Sequence, residues 1–176
     1  QDVHFFDFSL ETEGDRGQIK LIHLVSAAGI DFRHMMKETW DRYFKEEEDK
    51  DKSGMMQKRF VWQKNQRQEL KDTIKTTYFL IYNSCKRAKV EYPGFLGMGM
   101  GSFLPGSKQC KGQEKSGTCL EDVRKDIVRV YLEAQFEILS TSNFGFHTVF
   151  INPGPDWYND AKTLLKERES FLYFFP

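Results

Sequence analysis

An excess of charge of either sign is what this chain most plainly lacks: Lys and Arg total 26, Asp and Glu total 26, and the formal net charge is zero. No broad positive field draws it to extended nucleic acid or to an acidic membrane surface, although a small anionic ligand needs only a few local donors. Long apolar runs are missing too. Stretches such as "FLI" near residue 80 and "FLYFF" near the C-terminus are only a few residues long. A spanning helix needs ~20, so a soluble protein is expected. Cysteine is scarce and odd in number, with Cys85, Cys110 and Cys119 alone. That count excludes a disulfide-built scaffold and points to a reducing compartment inside the cell, cytoplasmic or nuclear. Cys110 and Cys119 flank the polar stretch "KGQEKSGT" and could close a small loop under oxidation; free thiols are the plain expectation. No His/Cys cluster has the spacing of a zinc site, and no internal repeat or low-complexity tract is present.

What remains is enough for one domain with a real core, spanning residues 1–176. "VHFFDFSLET" reads as an aromatic-rich strand, broken by "EGDRG". "IKLIHLVSAAG" reads as a second strand whose continuous apolar run suggests burial on both faces. In "IDFRHMMKETWDRYFKEEE", Phe32, Met35, Met36, Trp40, Tyr43 and Phe44 recur at helical spacing. The charged "KEEEDKDKSG" that follows reads as a solvated tail or loop. "KRFVWQKN" is a short strand. The segment "QELKDTIKTTYFLIYNSCKRAKV" is a long helix with Leu70, Ile74, Thr77, Ile81 and Cys85 on one stripe. A strand after Pro93-Gly94, a helix opened by the capping-box pattern "TCLE", a strand "GFHTVFIN" and a last helix from Tyr158 complete the chain. The expected order is β-β-α-β-α-β-α-β-α. It implies an α/β chain folded as a three-layer α/β/α sandwich around a mixed, mostly parallel sheet. Ligands of such sheets bind off the carboxyl ends of the strands, which gathers "SAAGID", "GMGMGSF" and "NPGPDW" on one edge.

The stretch "FLGMGMGSFLPG" at residues 95–106 carries Gly97, Gly99 and Gly101 at alternate positions. Alternating glycine gives up packing and costs entropy, so the bare backbone must serve something. Successive N–H groups turned inward form a concave anion site suited to a diphosphate. No Gly-Lys-Ser/Thr follows, which excludes a Walker loop, and the loop lies too late in the chain for the usual dinucleotide fingerprint. A tight bend or close helix packing explains the glycines equally well.

A helix ending in "NSCKRAKVEYPGFLGMGMGSFLPG", a helix beginning "TCLEDVRKDIVRVYLEAQ" and a strand "HTVFINPG" together resemble the second half of the macrodomain family of ADP-ribose-binding modules. In that family a helix leads into a strand and phosphate loop, then a helix, a strand and a final helix. "LVSAAGID" is similar to the family's Val-Asn-Ala-Ala-Asn turn, and "FFDFS" sits loosely where it has Gly-Asp-Ile-Thr. The resemblance implies that ADP-ribose, free or attached to protein, is the ligand and that no cofactor is required. It implies a phosphate loop of Gly97, Gly99, Met100, Gly101, Ser102 and Phe103, facing Ala28 and Gly29 of the turn. It also implies that Asp7 accepts a hydrogen bond from the adenine amino group and that Asn152, with Trp157, lies against the adenine and its ribose.

Asp7 reads equally as a turn-proximal strand aspartate, and Trp157 equally as core. Ser26 and Gly29 replace the family's two asparagines, and its first glycine-rich loop is missing. Those parts hold the distal ribose in hydrolytic members, so binding is expected to survive better than hydrolysis. For any ADP-ribosyl hydrolase activity Asp31 is the catalytic candidate, orienting water; stabilisation of a helix start is its simpler role. The alternative is a ligand-free interaction module of the same scaffold, using the helix around Trp40 and Tyr43, or "FLYFF", as its partner-facing surface.

Overall fold

The computed structural model describes residues 2–5, 25, 27–32, 37–50, 54, 56–101, 103–104 and 120–172. Along them run β1 (Asp2–Phe5), α1 (Lys37–Tyr43), β2 (Phe44–Lys50), β3 (Met56–Trp62), α2 (Gln66–Arg87), β4 (Gly94–Leu96), α3 (Leu120–Thr141), β5 (Thr148–Asn152) and α4 (Tyr158–Leu172). A single 310 turn, Pro155–Trp157, leads into α4. The described residues mix α and β structure, with one parallel and one antiparallel sheet among them. Among the described residues no helix is long and apolar enough to cross a membrane.

The parallel sheet has the order β1-β5-β4, with Phe5 opposite Ile151 and Leu96 opposite Asn152. β5 occupies the middle and buries Val149 and Ile151, the alternate residues that a strand turns to one face. The antiparallel pair β2–β3 is a separate sheet. Its presence corrects the expectation that residues 44–50 extend a helix into a solvated tail. Glu and Lys carry no strand signal of their own, but here tertiary pairing overrides propensity. Glu47 stands opposite Arg59 and Glu48 opposite Lys58, so the acidic run meets a basic strand. At the base of the hairpin Phe44 packs at 4.3 Å from the Trp62 ring and 4.6 Å from the Trp40 ring. Trp40 and Tyr43 are buried in this aromatic cluster, so neither offers a surface to a partner. Of the helix expected from Ile30, Asp31 and Phe32 are not helical, Lys37–Tyr43 is, and residues 33–36 lie outside the described residues. The expected second strand, residues 19–25, lies almost wholly outside the described residues.

α2 follows its sequence signals. It opens with Glu69 in the first turn and closes with Lys86 and Arg87 in the last, each sign facing the favourable pole of the helix dipole. Its buried stripe is Leu70, Ile74, Tyr78, Tyr82 and Cys85. The two tyrosines take the places expected of Thr77 and Ile81, because a four-residue step turns the stripe toward the larger rings. α3 is the helix around which the others gather, packed against both α2 and α4. Gln135, buried on this helix, donates to the Tyr82 hydroxyl at 2.9 Å.

A charged ladder joins α2 to α3. Arg67 reaches Glu133 at 3.2 Å and Asp126 at 3.4 Å, and Lys71 reaches Glu137 at 2.7 Å, with Lys75 bonded to the same carboxylate. Hydrogen bonds from Lys71 and then Lys75 hold the Glu137 carboxyl down at about 2. Burial pushes Glu133 up, but its bonds to Arg67 and Arg129 outweigh that and leave it low. A carboxyl depressed by folding contributes stability while ionised and loses it as pH falls from its ordinary value of 4.5 through the folded one. Urea midpoints are therefore expected to fall between about pH 4.5 and about pH 2, more gently in Glu137→Gln than in wild type. Equal slopes would show that the ladder does not carry this dependence.

Candidate functional site

Because β1, β5 and β4 run parallel, their carboxyl ends share one edge of the sheet. From β4 the chain enters Gly97 directly, and from β5 it enters Pro153 through Asn152. These two loops are packed backbone to backbone: a Cβ on Gly97 would lie 2.8 Å from the Pro153 carbonyl oxygen and 3.3 Å from the Met100 Cε. Asn152 turns its Oδ1 back to accept the Gly154 N–H at 2.9 Å, bending the second loop.

A third segment comes from far away in sequence. A Cβ on Gly29 would stand 2.4 Å from the Gly99 Cα, so the turn at residues 27–30 touches the glycine loop with nothing between them. Gly99 itself has φ +70, and a Cβ there would meet the Tyr131 ring and hydroxyl at 2.5 Å. Tyr131, fully buried on α3, is the floor beneath both segments. Its hydroxyl accepts the Ile30 N–H at 2.8 Å. Burial pushes this phenol up to about 12, so it keeps its proton at neutral pH. Further along, the Phe32 N–H donates to the Phe103 carbonyl at 2.7 Å, tying the far sides of the two segments together.

Trp157 closes the underside. Its Nε1 donates to the Met100 carbonyl at 2.8 Å, and the Arg124 guanidinium lies 5.7 Å over its ring. Only 4% of Trp157 is exposed, so it is a core residue that holds the loop, and no base stacks on it. Met100 is likewise buried and presents no side chain to a ligand.

Of the other expected site residues, Ala28 and Gly101 are exposed, and Gly29, Asp31, Gly97, Phe103 and Asn152 are half-buried. Ala28, Gly29, Gly97, Gly99, Gly101 and Asn152 therefore belong to one cluster of adjoining loops. Asp31 and Phe32 are not helical, and residues 33–36, which separate them from α1, lie outside the described residues. Asp7, Ser26 and Ser102 lie outside the described residues, as do Cys110 and Cys119. The residue that the sequence analysis passes over is Tyr131. A tyrosine among aliphatic positions carries a hydroxyl that needs a partner when buried, and that was the available signal.

The close approaches account for three of the glycines without any ligand. Gly29, Gly97 and Gly99 lack a Cβ because protein atoms occupy the place where it would stand. The amides differ. The parallel pairing of Leu96 with Asn152 directs the Gly97 N–H to the Asn152 carbonyl, and Gly99 is buried with its nitrogen 2.7 Å from where a Cβ of Gly29 would stand. Outside helices and strands, no hydrogen bond between described residues is donated by the Gly99 or Gly101 N–H. Gly101 is the exception among the glycines of this cluster, its missing side chain facing open space.

No protein-family model matches the chain. Comparisons with curated proteins and with solved structures return no match either. Function must therefore be argued from these loops. Two open clefts elsewhere do not compete with them. One, of about 560 Å³, runs beside Asn65, Glu69 and Thr73 on α2; the other, of about 300 Å³, lies between α3 and α4 beside Asp126, Arg129 and Asp160. Neither is lined by a residue of the glycine loop, and the second sets Asp122, Asp126, Asp160 and Glu167 against only Lys125 and Arg129, a balance that does not favour an anion.

Proposed function

We propose that the loops at the carboxyl edge of the parallel sheet bind ADP-ribose, free or as an ADP-ribosyl group on protein, with its diphosphate against the N–H groups of residues 97–101. The observation that carries this reading is the junction of Gly29 with Gly99. The two segments most similar to the macrodomain pattern, far apart in sequence, are in backbone contact at the edge where such sheets bind ligands. The run α2, β4, glycine loop, α3, β5, α4 also has the element order of the family's second half. In this reading the whole chain is one macrodomain-like domain, a three-layer α/β/α sandwich.

The neutral chain suits a small anion held by local donors better than a nucleic-acid strand. No cofactor is called for, and the scarce thiols suit a reducing cytoplasm or nucleus. Asn152 is assigned to the adenosine side of the ligand, where Asp7 would accept from the adenine amino group. For any hydrolysis of the ADP-ribosyl bond, Asp31 is assigned the orienting of water, two residues beyond Gly29.

Calorimetric titration tests the reading. ADP-ribose is expected to bind saturably at one site below millimolar concentration, ADP to bind more weakly, and adenosine to give no signal. Silence from ADP-ribose at millimolar concentration would remove the proposal.

A further inference from the structure

We infer that Tyr131 is the positioning residue of this site: it fixes the spacing between the turn at residues 28–30 and the glycine loop, and so the geometry in which both segments meet a diphosphate. The inference rests on the reading of the loops as a diphosphate site. Tyr131 touches both segments by different atoms. Its ring and hydroxyl lie where a Cβ of Gly99 would stand, at 2.5 Å, so the ring sets how deep the loop can sink. Its hydroxyl takes the Ile30 N–H at 2.8 Å and lies 3.1 Å from where a Cβ of Gly29 would stand, so the same oxygen sets where the turn rests.

The device is rigid for a physical reason. Tyr131 is 0% exposed and sits on a 22-residue helix, so its ring cannot swing away without opening the core. The phenol keeps its proton, and a hydroxyl that accepts one hydrogen bond retains a donor. The Ile30 N–H is held by this hydroxyl, and Gly29, one residue before it, is pinned on Gly99. A ligand then meets two segments already at their bound spacing and need not order them on arrival, which is where preorganisation gains affinity.

Tyr131→Phe separates this role from packing, because it keeps the ring against Gly99 and removes only the hydroxyl. Two readouts are taken on the full chain. In the free protein, hydrogen exchange at the Ile30 amide is expected to quicken about tenfold, in line with the loss of one hydrogen bond. In titration with ADP-ribose, affinity is expected to fall about five- to tenfold on the same ground. Ile138→Val, two turns further along α3, trims another buried side chain of the same helix and is expected to bind as wild type does.

Unchanged exchange at Ile30, or unchanged affinity in a wild type that binds, would overturn the inference and leave the proposed function standing. An equal loss of affinity in Ile138→Val would also overturn it, since general loosening of the core would then explain both variants. Absence of binding in wild type would instead overturn the proposed function, and the positioning role with it.

Discussion

Gly99→Ala is expected to melt roughly 10 °C below wild type. Two costs add at that position. The backbone is left-handed, with φ +70, where a residue carrying a Cβ pays about 1–3 kcal/mol. The new methyl would also stand 2.5 Å from the Tyr131 ring, and overpacking against a buried ring costs about 1–3 kcal/mol more. Neither side can give, because Tyr131 is held by the core and the Gly99 Cα is already against Gly29. Together they come to about 4 kcal/mol, which for a domain of this size converts to a shift of about that many degrees several times over. Gly101→Ala is the matched control. Its methyl would meet nothing within 4 Å, so its effect is expected within about 0.5 kcal/mol of zero. Differential scanning calorimetry on the two proteins checks the contrast, and comparable melting would show that Gly99 is not packed as described.

The second large effect is on binding. Gly101→Glu is expected to weaken ADP-ribose by at least about a hundredfold while leaving the melting temperature alone. Gly101 is exposed and its side-chain direction is open, so the substitution adds a carboxylate without disturbing the loop beneath it. A unit charge about 4 Å from a phosphate oxygen costs about 4 kcal/mol at an effective dielectric of 20, and solvent screening leaves about 3 of these. Gly101→Gln adds nearly the same volume without charge and is expected to lose far less. Glu at position 99 would be the wrong probe, because there a side chain points into Tyr131 and would break the fold before it met a ligand. If Gly101→Glu binds ADP-ribose as wild type does, no diphosphate lies beside that amide.

The contrast between Gly99 and Gly101 also marks the limit of what the sequence could tell. Alternating glycines announce a bare backbone, but not which way each missing side chain would have faced. That direction depends on what stands behind the loop. For Gly97 it is the Pro153 carbonyl and for Gly99 the Tyr131 ring, both brought there by segments distant in sequence. α2, β3, β4, β5 and α4 were legible because each has a period or a punctuating Pro, Gly or cap of its own. β2 was not, since "FKEEEDK" becomes a strand only when β3 sets basic residues opposite its acids. The gathering of Gly29, Gly97 and Asn152 on one edge was legible from the order of elements alone, because parallel strands must put their carboxyl ends together. The role of Tyr131 was not, because a hydroxyl's partner, the Ile30 amide, is a fact of tertiary structure.

The account stands on the Gly99 and Gly101 amides as donors to a diphosphate, and their nitrogen-15 and proton shifts on titration with ADP-ribose test it most directly. The expected result is a saturable downfield movement of the Gly99 and Gly101 N–H signals, following one dissociation constant and absent with adenosine. If those two signals stay still while ADP-ribose is bound, or if millimolar ADP-ribose moves no signal at all, diphosphate binding by the loop is contradicted.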